Sequence, residues 1–453
     1  MATLSGFPSF EVQFTKDGKV HDRAEVAALT AFLAADPPPV TDLLVVSHGW
    51  NNDMQEAREL YKELIGNVRA GLDAGWVDGI GEREIAVLAV LWPAKKFAEK
   101  ELIPSGAASA ASLVSNAALR DELDDLKKLF DDPRASRKLA KARKLVPDLE
   151  TDPDARQEFA DLLRSLLPEE ESGEEAPPEW HTLDGDELLQ RLARPVMEPG
   201  DEPPPDFEHG GAANVGRAEA GSGGAPEAAA AGLFGAIAGG VRGGARQLMN
   251  LVTYYEMKDR AGIVGAKGLN PILRQVRKDH PDLRLHLAGH SFGARLVTSA
   301  VAGATPDAAL TVDSLVLLQA AFSHYGFAKN YERNKDGFFR RVIADKLVAG
   351  PIVISHSVKD RAVGLAYPLA SLVAGHEAAA LGDRNDPYGG LGRNGAQRTP
   401  EVTDSILRET GGEAYRFAAG TVYNLNGDAI ITDHGDVRRK EVAFALLAAV
   451  AAT

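Results

Sequence analysis

A buried strand, a helix and a second buried strand follow one another near the start of the chain, and this order most constrains the fold. Residues 43–46 and 85–91 are entirely apolar, the pattern of strands whose two faces are both covered. Between them, residues 54–72 place apolar side chains at helical spacing. Strands joined in this way form α/β proteins, so we predict a mostly parallel, twisted sheet with helices on both faces.

The same rhythm occupies two separate parts of the chain. An alternating strand at 10–14 and an amphipathic helix at 22–35 belong to the first part. In the second part we predict strands at 283–288, 314–319, 352–355 and 420–425, and helices at 269–280, 295–302, 362–374 and 437–451. Residues 95–265 lack the rhythm and contain acidic, proline-rich and glycine-rich stretches. We therefore predict one α/β domain, residues 1–94 and 266–453, interrupted by a helical and partly disordered insertion at 95–265.

Composition excludes several classes of protein. The 453 residues include no cysteine, which excludes thiol catalysis, disulfides and cysteine-ligated zinc. The net charge of −15 argues against nucleic acid or an anionic membrane as a standing partner. Residues 1–14 lack the pattern of a signal peptide, and the apolar run that includes residues 443–452 is too short for a membrane span. We expect a cytoplasmic protein with no nucleic-acid partner and no stable membrane anchor.

The strongest local motif is Gly-His-Ser-Phe-Gly at residues 289–293, a G-x-S-x-G pattern. It follows a predicted strand and precedes a predicted helix, which is the context of a nucleophile elbow. Such an elbow is a strained turn that presents a serine above the sheet, and the small residues at its ends leave room for the tight backbone. We therefore predict that Ser291 is a nucleophile; the alternative is an ordinary glycine-rich turn.

A serine nucleophile needs a base, and we predict that His434 fills this role. It follows the last predicted strand and precedes the final helix, a position from which it reaches back over the elbow. His356, at a strand end, and His376, after a helix, are poorer candidates.

The base in turn needs a carboxylate that orients it, and Asp360 lies just past the strand at 352–355. A helix N-cap is the alternative role for Asp360. Asp433 and Asp436, which flank the predicted base in sequence, are alternative carboxylates.

Two backbone N–H groups are predicted to bind the oxyanion that forms during acyl transfer. One belongs to Phe292, directly after the nucleophile, and the other to Trp50, in the loop after the strand at 43–46. A glycine turn followed by a core tryptophan is the alternative for this loop. The residues predicted to contact the substrate are His48, Gly49, Trp92 and His290. Since the sequence contains no metal-ligand cluster and no phosphate-binding loop, we expect neither a metal nor any other cofactor.

With these motifs the chain resembles the α/β-hydrolase superfamily of lipases and esterases, over about residues 10–91 and 269–453. Ser-His-Gly-Trp-Asn-Asn-Asp at 47–53, Trp-Pro at 92–93 and Gly-His-Ser-Phe-Gly-Ala-Arg at 289–295 carry the resemblance. In layout the chain is similar to bacterial α/β-hydrolases of unknown function. The resemblance implies the α/β-hydrolase fold and serine hydrolase chemistry. The chain departs from the pattern in its insertion and at Ala294, where many lipases have a second glycine.

We expect hydrolysis of a carboxylic ester through an acyl-enzyme, because an alkoxide leaves more easily than an amine. The expected partner is a small-molecule or lipid-like ester, and the oligomeric state stays open. Three alternatives use the same residues. They are a lipase or phospholipase with the insertion as a lid, a peptidase or amidase, and a hydrolase-like binding protein.

Overall fold

A mostly parallel sheet lies at the centre of the molecule. The structure, a computed structural model, describes residues 2–50, 52–94, 115–130, 132–167, 179–193, 240–360, 373 and 384–453. In these residues nine strands are joined in the order β1-β2-β4-β3-β5-β6-β7-β9-β8. The strands are β1 (Thr3–Leu4), β2 (Phe7–Gln13), β3 (Asp42–Ser47), β4 (Ile85–Leu91), β5 (Arg284–His290), β6 (Ser314–Leu318), β7 (Ile352–His356), β8 (Val402–Ile406) and β9 (Val422–Asn426). All neighbouring strands are parallel except β1 and β2, which confirms the predicted α/β class.

Helices cover both faces of this sheet. They are α1 (Arg23–Leu33), α2 (Met54–Asp73), α3 (Asn116–Phe130), α4 (Pro133–Leu145), α5 (Pro153–Arg164), α6 (Glu179–Thr182), α7 (Gly185–Leu192), α8 (Gly240–Ile263), α9 (Asn270–Asp279), α10 (Phe292–Ala302), α11 (Arg340–Ala344), α12 (Leu391–Asn394) and α13 (Lys440–Ala451). Side chains alternate between the faces along each strand. Leu43 and Val45 pack in the core that contains α8 and α10, whereas Leu44 and Val46 pack against α2 and α13.

The predicted insertion is helical where the structure describes it, and it adds to the main core. Leu123 of α3, Phe159 of α5 and Leu189 of α7 are buried in the same cluster as the strands of the sheet. Helix α8 continues through a π-helical segment, Val264–Leu269, directly into α9. The backbone is therefore continuous and helical across residue 265, where we placed the end of the insertion.

Two strands carry no apolar pattern and were not predicted. Strand β8 lies at one edge of the sheet with mostly exposed side chains, and β1 has only two residues. The predicted helix at 362–374 lies outside the described residues except for Val373, and so do the glycine-rich residues 210–239. Within the described residues, the structure contains no helix with the length and hydropathy of a membrane span.

Four polar side chains form a buried cluster at the amino ends of β3, β5 and β6, which we call the basal cluster. His286 Nε2 lies 2.8 Å from Asp42 Oδ1, and His286 Nδ1 lies 2.8 Å from Ser314 Oγ. Arg83 donates to both oxygens of Asp42 and to the carbonyl of Val450, at 2.7 Å. Arg83 thus links the cluster to the last helix. The three residues on the strands are fully buried, so this Ser-His-Asp set has no face open to a substrate.

Candidate active site

Ser291 lies between β5 and α10 in a backbone conformation that side chains rarely adopt, with φ 55° and ψ −123°. Two glycines make this turn sterically feasible. A Cβ atom at Gly289 would lie 2.3 Å from the carbonyl oxygen of Gly293, and one at Gly293 would lie 2.3 Å from that of Ser47. The backbone at Ser291 thus has the strained strand-to-helix turn that the motif predicts.

The backbone around Ser291 is fixed by the neighbouring strand and by the helix that follows. Its N–H donates to the carbonyl of Leu318 at 3.0 Å, and its own carbonyl accepts from the N–H of Ala321 at 3.2 Å. Phe292 is the first residue of α10, so its N–H has no acceptor within the helix. The positive end of the helix dipole adds a field that favours negative charge at this point.

His434 and Asp360 are brought together from sequence positions 74 residues apart. Asp360 follows β7 and is fully buried, and its Oδ2 accepts from Nδ1 of His434 at 2.8 Å. With the proton on Nδ1, Nε2 is the ring nitrogen suited to accept a proton. The ring of His434 packs against the ring of His290, the residue before Ser291, with centroids 4.7 Å apart. The structure therefore places the predicted base beside the elbow and bonded to the predicted carboxylate.

Both alternative carboxylates accept hydrogen bonds from backbone N–H groups of their own loop, residues 431–436, which we call the histidine loop. Asp433 accepts from the N–H of Gly435 at 2.7 Å, and Asp436 accepts from the N–H of Thr432 at 2.6 Å. Burial raises the pKa of Asp436, but the hydrogen bonds from Arg439 and Thr432 outweigh it and lower the pKa. Neither carboxylate takes the place of Asp360 on Nδ1 of the histidine.

The two other histidines that were weighed as the base have different surroundings. His356 is the last residue of β7 and is buried, and burial lowers its pKa. His376 lies outside the described residues, as do the residues that Asp360 would cap as the start of a helix.

The loop that carries Asp360 is anchored by two parts of the chain, helix α12 and the turn after β9. Arg393 of α12 donates to the carbonyl of Val358 at 2.5 Å. The N–H of Val358 donates to Asp428 at 2.8 Å, and that of Ser357 donates to the carbonyl of Gly392 at 2.9 Å. The carboxylate is therefore presented from a loop whose backbone is held on both sides.

The loop after β3 packs directly against the elbow. A Cβ atom at Gly49 would lie 2.7 Å from Cβ of Ser291, so only a glycine permits this approach. The partly buried ring of Trp50 lies 6.0 Å from that of Phe292 and 6.2 Å from that of Tyr254. Asp53 is the N-cap of α2 and forms a capping box with Glu56, which fixes where the loop ends. The two segments that carry the predicted oxyanion donors, the loop after β3 and the start of α10, therefore lie side by side.

His48 and Trp92, predicted to contact the substrate, are fully buried and bonded to each other. His48 Nε2 accepts from the N–H of Trp92 at 3.3 Å, and Nε1 of Trp92 donates to the carbonyl of His48 at 3.0 Å. Tyr61 of α2 completes the network: its hydroxyl accepts from the N–H of His48 at 2.7 Å and donates to the carbonyl of Val90 at 2.5 Å. These contacts fix the conformation of residues 48–50 after β3, which we call the glycine loop. His290 likewise bonds to protein, donating from Nε2 to the carbonyl of His434 at 3.0 Å.

Two residues in this region were not found from the sequence. Tyr61 occupies an apolar position of α2, where an aromatic residue indicates core packing. Gln319, directly after β6, donates from Nε2 to the carbonyl of Asp433 at 2.8 Å. Its signal appears only in the backbone, since its φ of 43° is positive.

We predict that stability falls as the pH is lowered from about 6.5 to about 4. Burial lowers the pKa of several histidines, to about 4 for His48 and about 3 for His324. Below about pH 6.5 the unfolded chain therefore binds protons that the folded chain does not bind. For each such histidine, the free energy of unfolding falls by about 1.4 kcal/mol per pH unit. The histidines concerned are His48, His286, His290, His324 and His356. Urea unfolding midpoints measured from pH 7.5 to 4.5 check this, and a constant midpoint would contradict it.

Comparisons of this chain with protein-family models, with curated proteins and with solved structures find no match.

Proposed function

We propose that the chain is a serine hydrolase of the α/β-hydrolase fold that cleaves carboxylic esters with Ser291, His434 and Asp360. The observation that carries the proposal is the Asp360–His434 hydrogen bond of 2.8 Å beside a serine at φ 55°. The chain order Ser, Asp, His is that of α/β-hydrolases. The elbow after a central strand and the glycine loop after β3 support the same fold.

The proposed reaction has two steps. His434 Nε2 takes the proton of Ser291 as Oγ attacks the ester carbonyl, while Asp360 stabilises the imidazolium. The N–H groups of Phe292 and Trp50 bind the oxyanion. The imidazolium then gives its proton to the leaving alkoxide, and the acyl group stays on the serine. Water, deprotonated by the same histidine, attacks the acyl-enzyme; the acid departs and the proton returns to the serine.

We expect the native protein to hydrolyse p-nitrophenyl esters and to be labelled on Ser291 by a fluorophosphonate. Ser291→Ala should abolish both, because the attacking oxygen is gone. Rates with esters from acetyl to palmitoyl would separate an esterase from a lipase or phospholipase.

Ser314→Ala is the matched control for this test. Ser314 also bonds to a histidine, but it lies in the fully buried basal cluster, so labelling should match that of the native protein. Labelling of Ser291 without turnover of any ester would indicate an amide substrate instead. A native protein that is not labelled would overturn the proposal and favour the binding-protein alternative.

A further inference from the structure

Two side chains from neighbouring strand ends hold consecutive carbonyl groups of the loop that carries His434. Nε2 of His290, at the end of β5, donates to the carbonyl of His434 at 3.0 Å. Nε2 of Gln319, directly after β6, donates to the carbonyl of Asp433 at 2.8 Å. Both side chains are at least 96% buried, so water does not compete strongly for these carbonyls.

Gln319 has an unusual backbone conformation. Its φ is 43°, a region in which a non-glycine residue is strained. Its N–H donates to the carbonyl of Ser355 in β7 at 3.2 Å, which fixes the residue after β6 against the neighbouring strand. Such strain persists only where the surroundings enforce it, and it concentrates at functional sites. The structure thus has two strained residues at the ends of the adjacent strands β5 and β6: Ser291 and Gln319.

Gln319 holds the backbone of the loop, which the bond between Asp360 and His434 does not hold directly. The bond from Asp360 to Nδ1 sets the tautomer and direction of the His434 ring. It does not set the height of the loop backbone above the serine, because a ring held at one nitrogen can still swing with its backbone. Carbonyl bonds to residues 433 and 434 restrain that backbone.

His290 is suited to such a restraint. Burial lowers the pKa of its imidazole well below the usual value, so the ring stays neutral and carries a single N–H. Gly49 lies against the other ring nitrogen, since a Cβ there would be 3.2 Å from Nδ1 of His290. One edge of the ring therefore faces the glycine loop and the opposite edge faces the histidine loop.

From these contacts we propose that Gln319 is a positioning residue, which together with His290 holds the histidine loop at the height where His434 reaches Ser291. The inference rests on the proposed function, but its geometric part is measurable without any substrate. Gln319 donates to the backbone carbonyl of residue 433, and it is through this backbone that we propose it acts.

The test compares Gln319→Met with Asn270→Leu. The methionine keeps the length of the side chain and removes the donor. Asn270 is an equally buried amide that donates to the carbonyls of Ala300 and Ala308, at 2.7 and 2.8 Å, far along the chain from the histidine loop. In Gln319→Met we expect hydrogen exchange of the amides at 431–436 to become roughly fivefold faster. This is the change that the loss of one buried hydrogen bond would cause. We expect kcat for p-nitrophenyl acetate to fall on the order of 10²-fold with KM nearly unchanged.

Gln319→Gly separates the amide from the strain. Glycine tolerates the positive φ, so this variant should resist unfolding better than Gln319→Met while losing the same kcat. Recovery of kcat in the glycine variant would overturn the inference, because the amide would then be unnecessary.

Native exchange rates at 431–436 in Gln319→Met would overturn the inference as well. So would an equal loss of kcat in Asn270→Leu, which would show that any buried amide has this effect. If the native protein is not labelled by a fluorophosphonate, the proposed function fails instead, and the exchange measurement still decides whether Gln319 holds the loop.

Discussion

Replacing Asp360 with asparagine is expected to lower kcat by about 10⁴-fold and leave the fold intact. The carboxylate accepts from Nδ1 of His434 at 2.8 Å, which keeps the proton on that nitrogen. An asparagine amide can donate there instead, so the imidazole takes the tautomer with its proton on Nε2. That nitrogen then cannot accept the proton of Ser291. Hydrolysis of p-nitrophenyl acetate together with a thermal melt measures both parts of the prediction.

Asp17→Asn is the control for the loss of one negative charge, because Asp17 is exposed on the surface. It should keep native turnover. Turnover near the native rate in Asp360→Asn would contradict the assignment of Asp360, and it would return the role of the carboxylate to Asp433 or Asp436.

The sheet could be predicted from the sequence wherever burial leaves a continuous apolar pattern. Strand β4 was predicted with its observed ends, and β3, β5, β6 and β7 were each within one or two residues. Strand β8 was missed because an edge strand needs no apolar side chain: its residues Thr403, Asp404 and Ile406 face solvent. Its pairing with β9 depends on backbone groups, which the sequence pattern does not show.

The site could be predicted where chemistry demands a residue type at a fixed place in the chain. The glycines at 289 and 293 precede and follow Ser291 because any side chain would collide with backbone. Asp360 and His434 were predicted because each lies in a loop that follows a predicted strand. The direction of a side chain at a strand end could not be predicted. His48 and Trp92 point into the protein, where they bond to each other and Tyr61 from a separate helix bonds to the backbone of His48.

The basal cluster repeats the residue types of the proposed catalytic set at the opposite end of the sheet, with the histidine ring reversed: the aspartate contacts Nε2 of His286 but Nδ1 of His434. In both places a buried aspartate lies 2.8 Å from a histidine nitrogen, and a serine lies nearby in the fold. The surroundings differ. Ser314 lies within a regular strand and is fully buried, whereas Ser291 lies on a strained turn. The basal aspartate also neutralises Arg83, whose side chain is only 8% exposed. We therefore expect the Asp360–His434 hydrogen bond to serve catalysis at the carboxyl ends of the strands, and the Asp42–His286 hydrogen bond to serve stability at the amino ends.

Asp42→Asn is accordingly expected to lower the free energy of unfolding by about 3–5 kcal/mol, the typical cost of removing one partner of a buried ion pair. Burial raises the pKa of Asp42, but hydrogen bonds from His286, Arg83 and Thr41 lower it well below its usual range. Because the folded pKa is depressed, this stability is present above the unfolded value of 3.8 and is lost as the pH falls through the folded value. The loss is therefore fully present at neutral pH, and urea unfolding at pH 7 measures it.

Asp17→Asn should change the unfolding free energy by less than about 0.5 kcal/mol, as an exposed substitution does. Fluorophosphonate labelling per folded molecule should be native in Asp42→Asn, since the basal cluster lies at the amino ends of the strands and Ser291 at the carboxyl end. Asp360→Asn should show the reverse: near-native unfolding and lost turnover. If Asp42→Asn lost turnover while keeping native stability, the two Asp–His pairs would have to exchange the roles assigned to them, because the chemical change is identical at both positions.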